Sequence, residues 1–165
     1  MATNQDWARA YAKQALSDLD AREKLALAGA HKCHRLHFLQ MAAEKVCKAH
    51  LTSGNGHENV RKTHAYIERN LLIIARFFYS KTNDDNSMAQ WETRKMKQIA
   101  TEIQVLAPAC DAEGARPDNS EYPWQDGHGD VRTPCEYNFP NIDDEDRTII
   151  RLIKLIRAAS ESYAV

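Results

Sequence analysis

One all-α domain over residues 1–165, an up-and-down bundle of about five helices with a long aromatic- and proline-containing loop before the last, is what three features of this sequence predict. Apolar residues recur at three- and four-residue spacing in five separate segments, the period of a helix with one buried face. Gly (6) and Pro (5) are scarce, and every proline falls between Pro108 and Pro140, so nothing breaks the segments on either side. Finally, 165 residues with 43% hydrophobic content match one domain able to bury a continuous core without staples or repeats.

From Trp7 to Leu27, the residues Trp7, Tyr11, Ala15, Leu19 and Ala26 recur close to helical spacing, with Asp18, Arg22, Glu23 and Lys24 on other faces. Gly29 interrupts the pattern weakly. Leu36, Leu39, Ala43, Val46 and His50 then mark the stripe of a second helix up to Leu51, which the small polar residues and glycines of Thr52–Gly56 should end. These two helices are expected to form a long antiparallel pair. A third helix is read from Thr63 as N-cap, with Ile67, Leu71, Ile74 and Phe78 on one side, up to the polar run beginning at Lys81. Ser87 with Gln90 three residues later has the form of a capping box, and Met88, Trp91, Ile99, Ile103 and Leu106 carry a fourth helix to Pro108. The last helix is read from about Asp143 to Tyr163, capped by Asp143 or Asp144, with Ile149, Leu152, Ile153, Ile156 and Tyr163 inward.

Between the fourth and fifth helices lies a connection too long for an ordinary loop in a compact domain. It interleaves Tyr122, Trp124, Val131, Tyr137 and Phe139 with Pro123, Pro134 and Pro140. Such large apolar groups gain little if left in water, so the segment is expected to fold back across the bundle.

Composition excludes several function classes. Lys plus Arg (22) nearly balances Asp plus Glu (23), so no global positive field gathers nucleic acid, and any RNA contact must be local. No run of about eighteen apolar residues occurs and no basic-then-apolar leader opens the chain, so neither membrane span nor secretion is expected. Cys33, Cys47, Cys110 and Cys135 contain no CxxC pair, which fits reduced thiols in a cytoplasmic protein. No cofactor is called for.

The segment from Phe38 to Leu51 resembles the central signature of HEPN domains, in which a Gln, small residues, a Glu-Lys pair and a later Lys-Ala recur on the second helix. Gln40, Glu44, Lys45, Lys48 and Ala49 match that pattern. His64 stands where many members carry a His, and with the Asp18-Leu19 helix and the aromatic stretch the resemblance spans most of the chain. It implies a single HEPN-like helical domain over 1–165 that binds a nucleotide, RNA or a nucleotidyltransferase partner, within a bacterial defence or toxin–antitoxin pair and as a homodimer. Many family members are metal-independent ribonucleases carrying an Arg, a spacer of four to six residues and a His. No Arg here precedes a His at that spacing; the nearest arrangement is Arg61, His64 and Tyr66, with two residues between Arg and His. The resemblance therefore implies a non-catalytic binding role, with an atypical ribonuclease using Arg61, His64 and Tyr66, or a structural dimerisation domain, as the alternatives.

Ligand-binding candidates are Glu44, Lys48, His64, Tyr122, Trp124 and Arg132, placed between helices two and three and the aromatic loop. Glu44 and Lys48 stand one turn apart with the acid N-terminal, which also suits a plain helix-supporting pair. Trp124 and Tyr122 offer faces for base stacking and Arg132 a phosphate contact, or Trp124 plugs the end of the bundle. His31, Cys33, His34 and His37, with Cys47 and His50 further on, have zinc-compatible chemistry, yet four ligands from one helix cannot close a tetrahedron, and no metal is expected.

Overall fold

The computed structural model describes residues 2–56, 60, 67–80, 86–108 and 119–165. Its elements are α1 (Asn4–Leu27), α2 (Lys32–Asn55), α3 (Ile67–Ser80), α4 (Asn86–Val105), a hairpin of β1 (Trp124–Gln125) and β2 (Val131–Arg132), and α5 (Arg147–Ala164). The class is all-α, as its helical periodicity predicts.

Helix α1 begins three residues earlier than the apolar stripe because Thr3 and Asp6 form a capping box, the Thr3 hydroxyl accepting from the Asp6 N–H and the Asp6 carboxylate from the Thr3 N–H. Its buried stripe is Ala8, Ala12, Ala15 and Leu19, whereas Trp7 and Ala26 are exposed. The correction has a simple cause. The inner face is built from alanines, which let α2 approach closely, so the large ring at position 7 is left outside. Gly29 is also more than a weak interruption: at φ 68° it adopts the left-handed conformation that ends a helix, with Ala30 N–H bonded to Leu25 O and Gly29 N–H to Ala26 O.

Helix α2 returns antiparallel to α1, burying Leu36, Leu39, Ala42, Ala43, Val46, Cys47 and Ala49. It runs through Thr52, Ser53 and Gly54 to Asn55 instead of stopping at Leu51. Thr52 is fully buried, and the Ser53 hydroxyl donates to His50 O, so two of the residues read as turn formers are accommodated inside the helix. Gly56, at φ 84°, makes the stop.

Helix α3 buries Ile67, Leu71, Ile74 and Ala75 and half-buries Phe78, as its periodicity requires. In its first turn, the Glu68 N–H donates to Gln104 Oε1 of α4 at 3.0 Å. Thr63, read as the cap, lies outside the described residues, as do the side chains of Ser87 and Gln90. Helix α4 contributes Met96, Ala100 and Ile103 to the core. Helix α5 starts at Arg147, later than read, because Asp146 is its N-cap and accepts from the Thr148 N–H at 2.6 Å. Asp143 accepts from the Glu145 N–H in the preceding turn, and Asp144 is committed elsewhere.

The long connection does fold back. Lys32 Nζ donates to Asn138 O (2.8 Å) and Phe139 O (3.2 Å), Asn141 donates to Glu102 (3.1 Å), and Ser120 bonds Leu106 O. Phe139 and Ile142 enter the core, and Trp124 and Tyr137 pack against it. The antiparallel hairpin inside this segment, pairing Trp124 with Arg132 and Gln125 with Val131, is absent from the sequence reading. Its signal is the Asp126-Gly-His-Gly-Asp130 turn, where the Asp126 carboxylate accepts from the N–H groups of His128 and Asp130.

Candidate functional site

Of the six ligand-binding residues expected from sequence, the structure describes five and does not converge them. Glu44 and Lys48 are both buried in α2, where Lys48 Nζ lies 2.7 Å from Glu44 Oε1 and Gln40 Nε2 donates to Glu44 Oε2 at 3.2 Å. Both carboxylate oxygens are thus engaged inside the protein. A buried ion pair of this kind is held by geometry and satisfied hydrogen bonds, and differs from the exposed helix pair that the spacing alone suggests.

A parallel arrangement lies alongside. Asp18 of α1 is buried and receives Lys45 at 2.5 Å and Gln14 Nε2 at 3.1 Å. Asp144, ahead of α5, receives Arg22 at 2.5 Å and Arg35 at 2.6 Å. Of the conspicuous Glu44-Lys45 dipeptide, Lys45 therefore reaches across to α1, while Glu44 is paired within α2 itself.

Trp124 is half-buried, with its ring centroid 5.1 Å from Tyr137 and 6.5 Å from Phe139, edge-on to the former. Tyr122 is 61% exposed. Arg132 holds Asp126 at 2.7 Å and reaches Asp130 at 3.6 Å. That guanidinium, and then the His128 N–H, keep the Asp126 carboxyl below its ordinary range. Glu121, next to Tyr122, meets α2 at His37, 3.4 Å away. Along the helix, Glu44 is about 10 Å and Lys48 about 16 Å beyond His37 at 1.5 Å per residue, so the hairpin and the buried pair occupy different levels of the bundle. Arg61, His64 and Tyr66 lie outside the described residues.

In the His/Cys cluster, Cys33 is buried, His31 and His34 meet edge-on at 6.3 Å, and His37 faces Glu121. No group of three metal-ligating side chains forms among the described residues. His50 pairs instead with Tyr163 of α5, Nδ1 to OH 2.8 Å, and burial lowers the pKa of His50 and raises that of Tyr163.

A different constellation is open to solvent. Glu68, Arg69, Leu72, Ile73 and Arg76 of α3 and Lys97 and Gln104 of α4 line a groove of ≈ 520 Å³. Residues 69, 73 and 76 follow one another at four- and three-residue spacing, so they project from one face of α3. Lys97 and Gln104 are two turns apart on α4. The side chains of Arg69, Arg76 and Lys97 are exposed and none is paired with a carboxylate among the described residues. Leu72 gives the groove an apolar floor continuous with the core, and Ile73 remains 40% exposed on its wall. The lining carries three cations and one carboxylate, in a chain whose net charge is −1.

Sequence reasoning took Ile67, Leu71, Ile74 and Phe78 as the buried side of α3 and stopped there. The signal it left unused is the opposite side, where Arg69, Ile73, Arg76 and Phe77 alternate charge with apolar bulk at helical spacing. Phe77 is 52% exposed, one turn beyond Ile73. No family model, curated protein or solved structure matches this chain.

Proposed function

We propose that this chain is a HEPN-like binding module that takes RNA or a nucleotide in the α3–α4 groove and does not itself cleave it. The observation carrying this reading is the set of three cations, Arg69, Arg76 and Lys97, around one groove, none of them paired with a carboxylate among the described residues. Guanidinium groups hold phosphate oxygens in a planar, two-pronged geometry and an ammonium adds a point charge, so the set suits phosphate esters. Its volume of ≈ 520 Å³ falls in the range of small-ligand sites, about 300–1,000 Å³. Leu72 and Ile73 supply apolar surface for a sugar or base edge, while Glu68 lines the same groove and supplies acceptor oxygens for base or ribose donors.

This agrees with the near-neutral composition, because the positive field is local to one face. The test is fluorescence anisotropy with a short labelled single-stranded RNA across a salt series, in EDTA, with the RNA length checked afterwards. The wild type should bind without shortening the RNA. Arg69→Ala/Arg76→Ala/Lys97→Ala should weaken binding at least tenfold and reduce the salt slope by about 2, at roughly 0.7 per phosphate contact on a single strand. Equal binding by the triple variant, or no binding by the wild type to RNA or to competing nucleotide, would overturn the reading.

A further inference from the structure

The outer flank of α3 carries apolar surface that the core does not use. Ile73 is 40% and Phe77 52% exposed, one turn apart, although the same helix fully buries Ile67 and Leu71. At 3.6 residues per turn, Leu72 and Glu68 lie about 60° and 100° round from Arg69 on one side of the helix, and Ile73 and Phe77 about 40° and 80° round on the other. The first side is the one that meets the core through Leu72 and α4 through the Glu68 N–H. Arg69 and Arg76 therefore stand between the groove floor and an apolar rim made by Ile73 and Phe77. The Phe77 ring is braced by Phe78, centroids 5.6 Å apart with 77° between the planes, and about half of the residue stays open to solvent.

We propose that Phe77, with Ile73 beside it, is a base-stacking platform on the rim of the groove, through which the site selects single-stranded nucleic acid over duplex. This rests on the groove reading above and specifies its substrate class. Phosphates of the strand follow Arg69, Arg76 and Lys97, while a base turned outward lies on the Phe77 ring. Stacking of this kind tolerates any sequence, because every base presents a π-face. In a duplex both faces of a base are covered by its neighbours and its edge is paired, so reaching a platform at the side costs unstacking and unpairing; a single strand is spared most of that cost. A second copy of this chain fits the rim poorly, since a two-fold contact across the ridge sets the arginines of one copy against those of the other. A chain of carboxylates answers the cations and leaves the ring uncovered.

The test titrates the full chain against a labelled single-stranded RNA, the same RNA annealed to its complement, and an abasic strand of equal length, by anisotropy. The wild type should hold the single strand about tenfold more tightly than the duplex. Phe77→Ala should weaken the single strand about tenfold, leave the abasic strand unchanged, and keep the wild-type salt slope, because a lost ring releases no counterions. Phe77→Leu, which keeps apolar bulk without a ring, should lose as much, and Phe77→Trp should bind as wild type does. Comparison of the base-bearing and abasic strands on one sample separates lost stacking from lost fold. Unchanged binding by Phe77→Ala, with Arg69→Ala/Arg76→Ala/Lys97→Ala still weakened, overturns the platform and leaves the groove reading standing. No binding of any probe by the wild type overturns both. Duplex held as tightly as single strand, equal loss on the abasic strand, or displacement of RNA by poly-glutamate as effective as by unlabelled RNA, also overturns the platform.

Discussion

The α1–α2 pair and the α3–α4 face use charge in opposite ways. On α1 and α2, Asp18, Arg22, Glu44 and Lys48 are almost wholly buried, and Lys45 is drawn in with them; Asp18 meets Lys45 across the two helices, Arg22 meets Asp144 ahead of α5, and Glu44 meets Lys48 within α2. Across α3 and α4, Arg69, Arg76 and Lys97 stand in solvent with no carboxylate partner among the described residues. Charge that folding has already neutralised positions helices. Charge left open around a concave surface remains available to a ligand.

The sharpest way to break this comparison is to unpair the first region. Glu44→Ala leaves Lys48 buried beside a void and should cost about 3–5 kcal/mol, read from urea denaturation. Replacing both partners, as in Glu44→Leu/Lys48→Met, should recover most of that loss, because two apolar groups have no desolvation debt. If Glu44→Ala proves harmless, the pair is not the internal strut described above.

Next in size is the core that carries both regions. Leu39→Ala, at a fully buried position, should destabilise by about 2–5 kcal/mol without altering binding in the groove beyond the loss of folded protein. Circular dichroism melts and anisotropy on the same samples separate the two effects.

A smaller effect concerns pH. Burial lowers the pKa of His50 in the folded chain below the ordinary imidazole value of 6.5. The unfolded chain then binds the proton more readily, so stability is complete above about pH 6.5 and declines as pH falls toward the folded pKa. His50→Gln, which retains a partner for Tyr163 and cannot titrate there, should flatten that part of the stability curve. An unchanged slope would assign the acid sensitivity to other groups.

How much of this was legible beforehand depends on the kind of information. The five helices follow from period and breakers alone, since the stripes Leu36-Leu39-Ala43-Val46 and Ile67-Leu71-Ile74 can be buried in only one way. Boundaries were less legible. The Thr3–Asp6 box extends α1, and Asp146, three residues inside the acidic run, was the cap because Asp144 was bound to Arg22 and Arg35. No local pattern encodes that long-range competition.

The site was less legible still. Glu44 and Lys48 look like chemistry because they are charged, adjacent and part of a resemblance, yet burial decides what a charge does, and burial depends on the neighbouring helix. Arg69 and Arg76 look like an ordinary solvated face until α4 places Lys97 across from them. Trp124 illustrates the same point: its half-buried place against Tyr137 and Phe139 depends on a hairpin whose Asp-Gly turn was in view but unpaired with its strands.

The most direct test sets the two groove arginines, without a carboxylate partner among the described residues, against a paired cation. Arg157 on α5 is held by Asp20 and Glu23 of α1 and serves as the control for lost positive charge. Each variant should stay within about 0.5 kcal/mol of wild-type stability, as surface substitutions commonly do. Labelled RNA titrated into Arg69→Ala/Arg76→Ala should show affinity at least tenfold weaker than wild type, and into Arg157→Ala nearly unchanged. Equal loss in both would mean that RNA responds only to overall charge, and no loss in the first would mean that the groove is not where it binds.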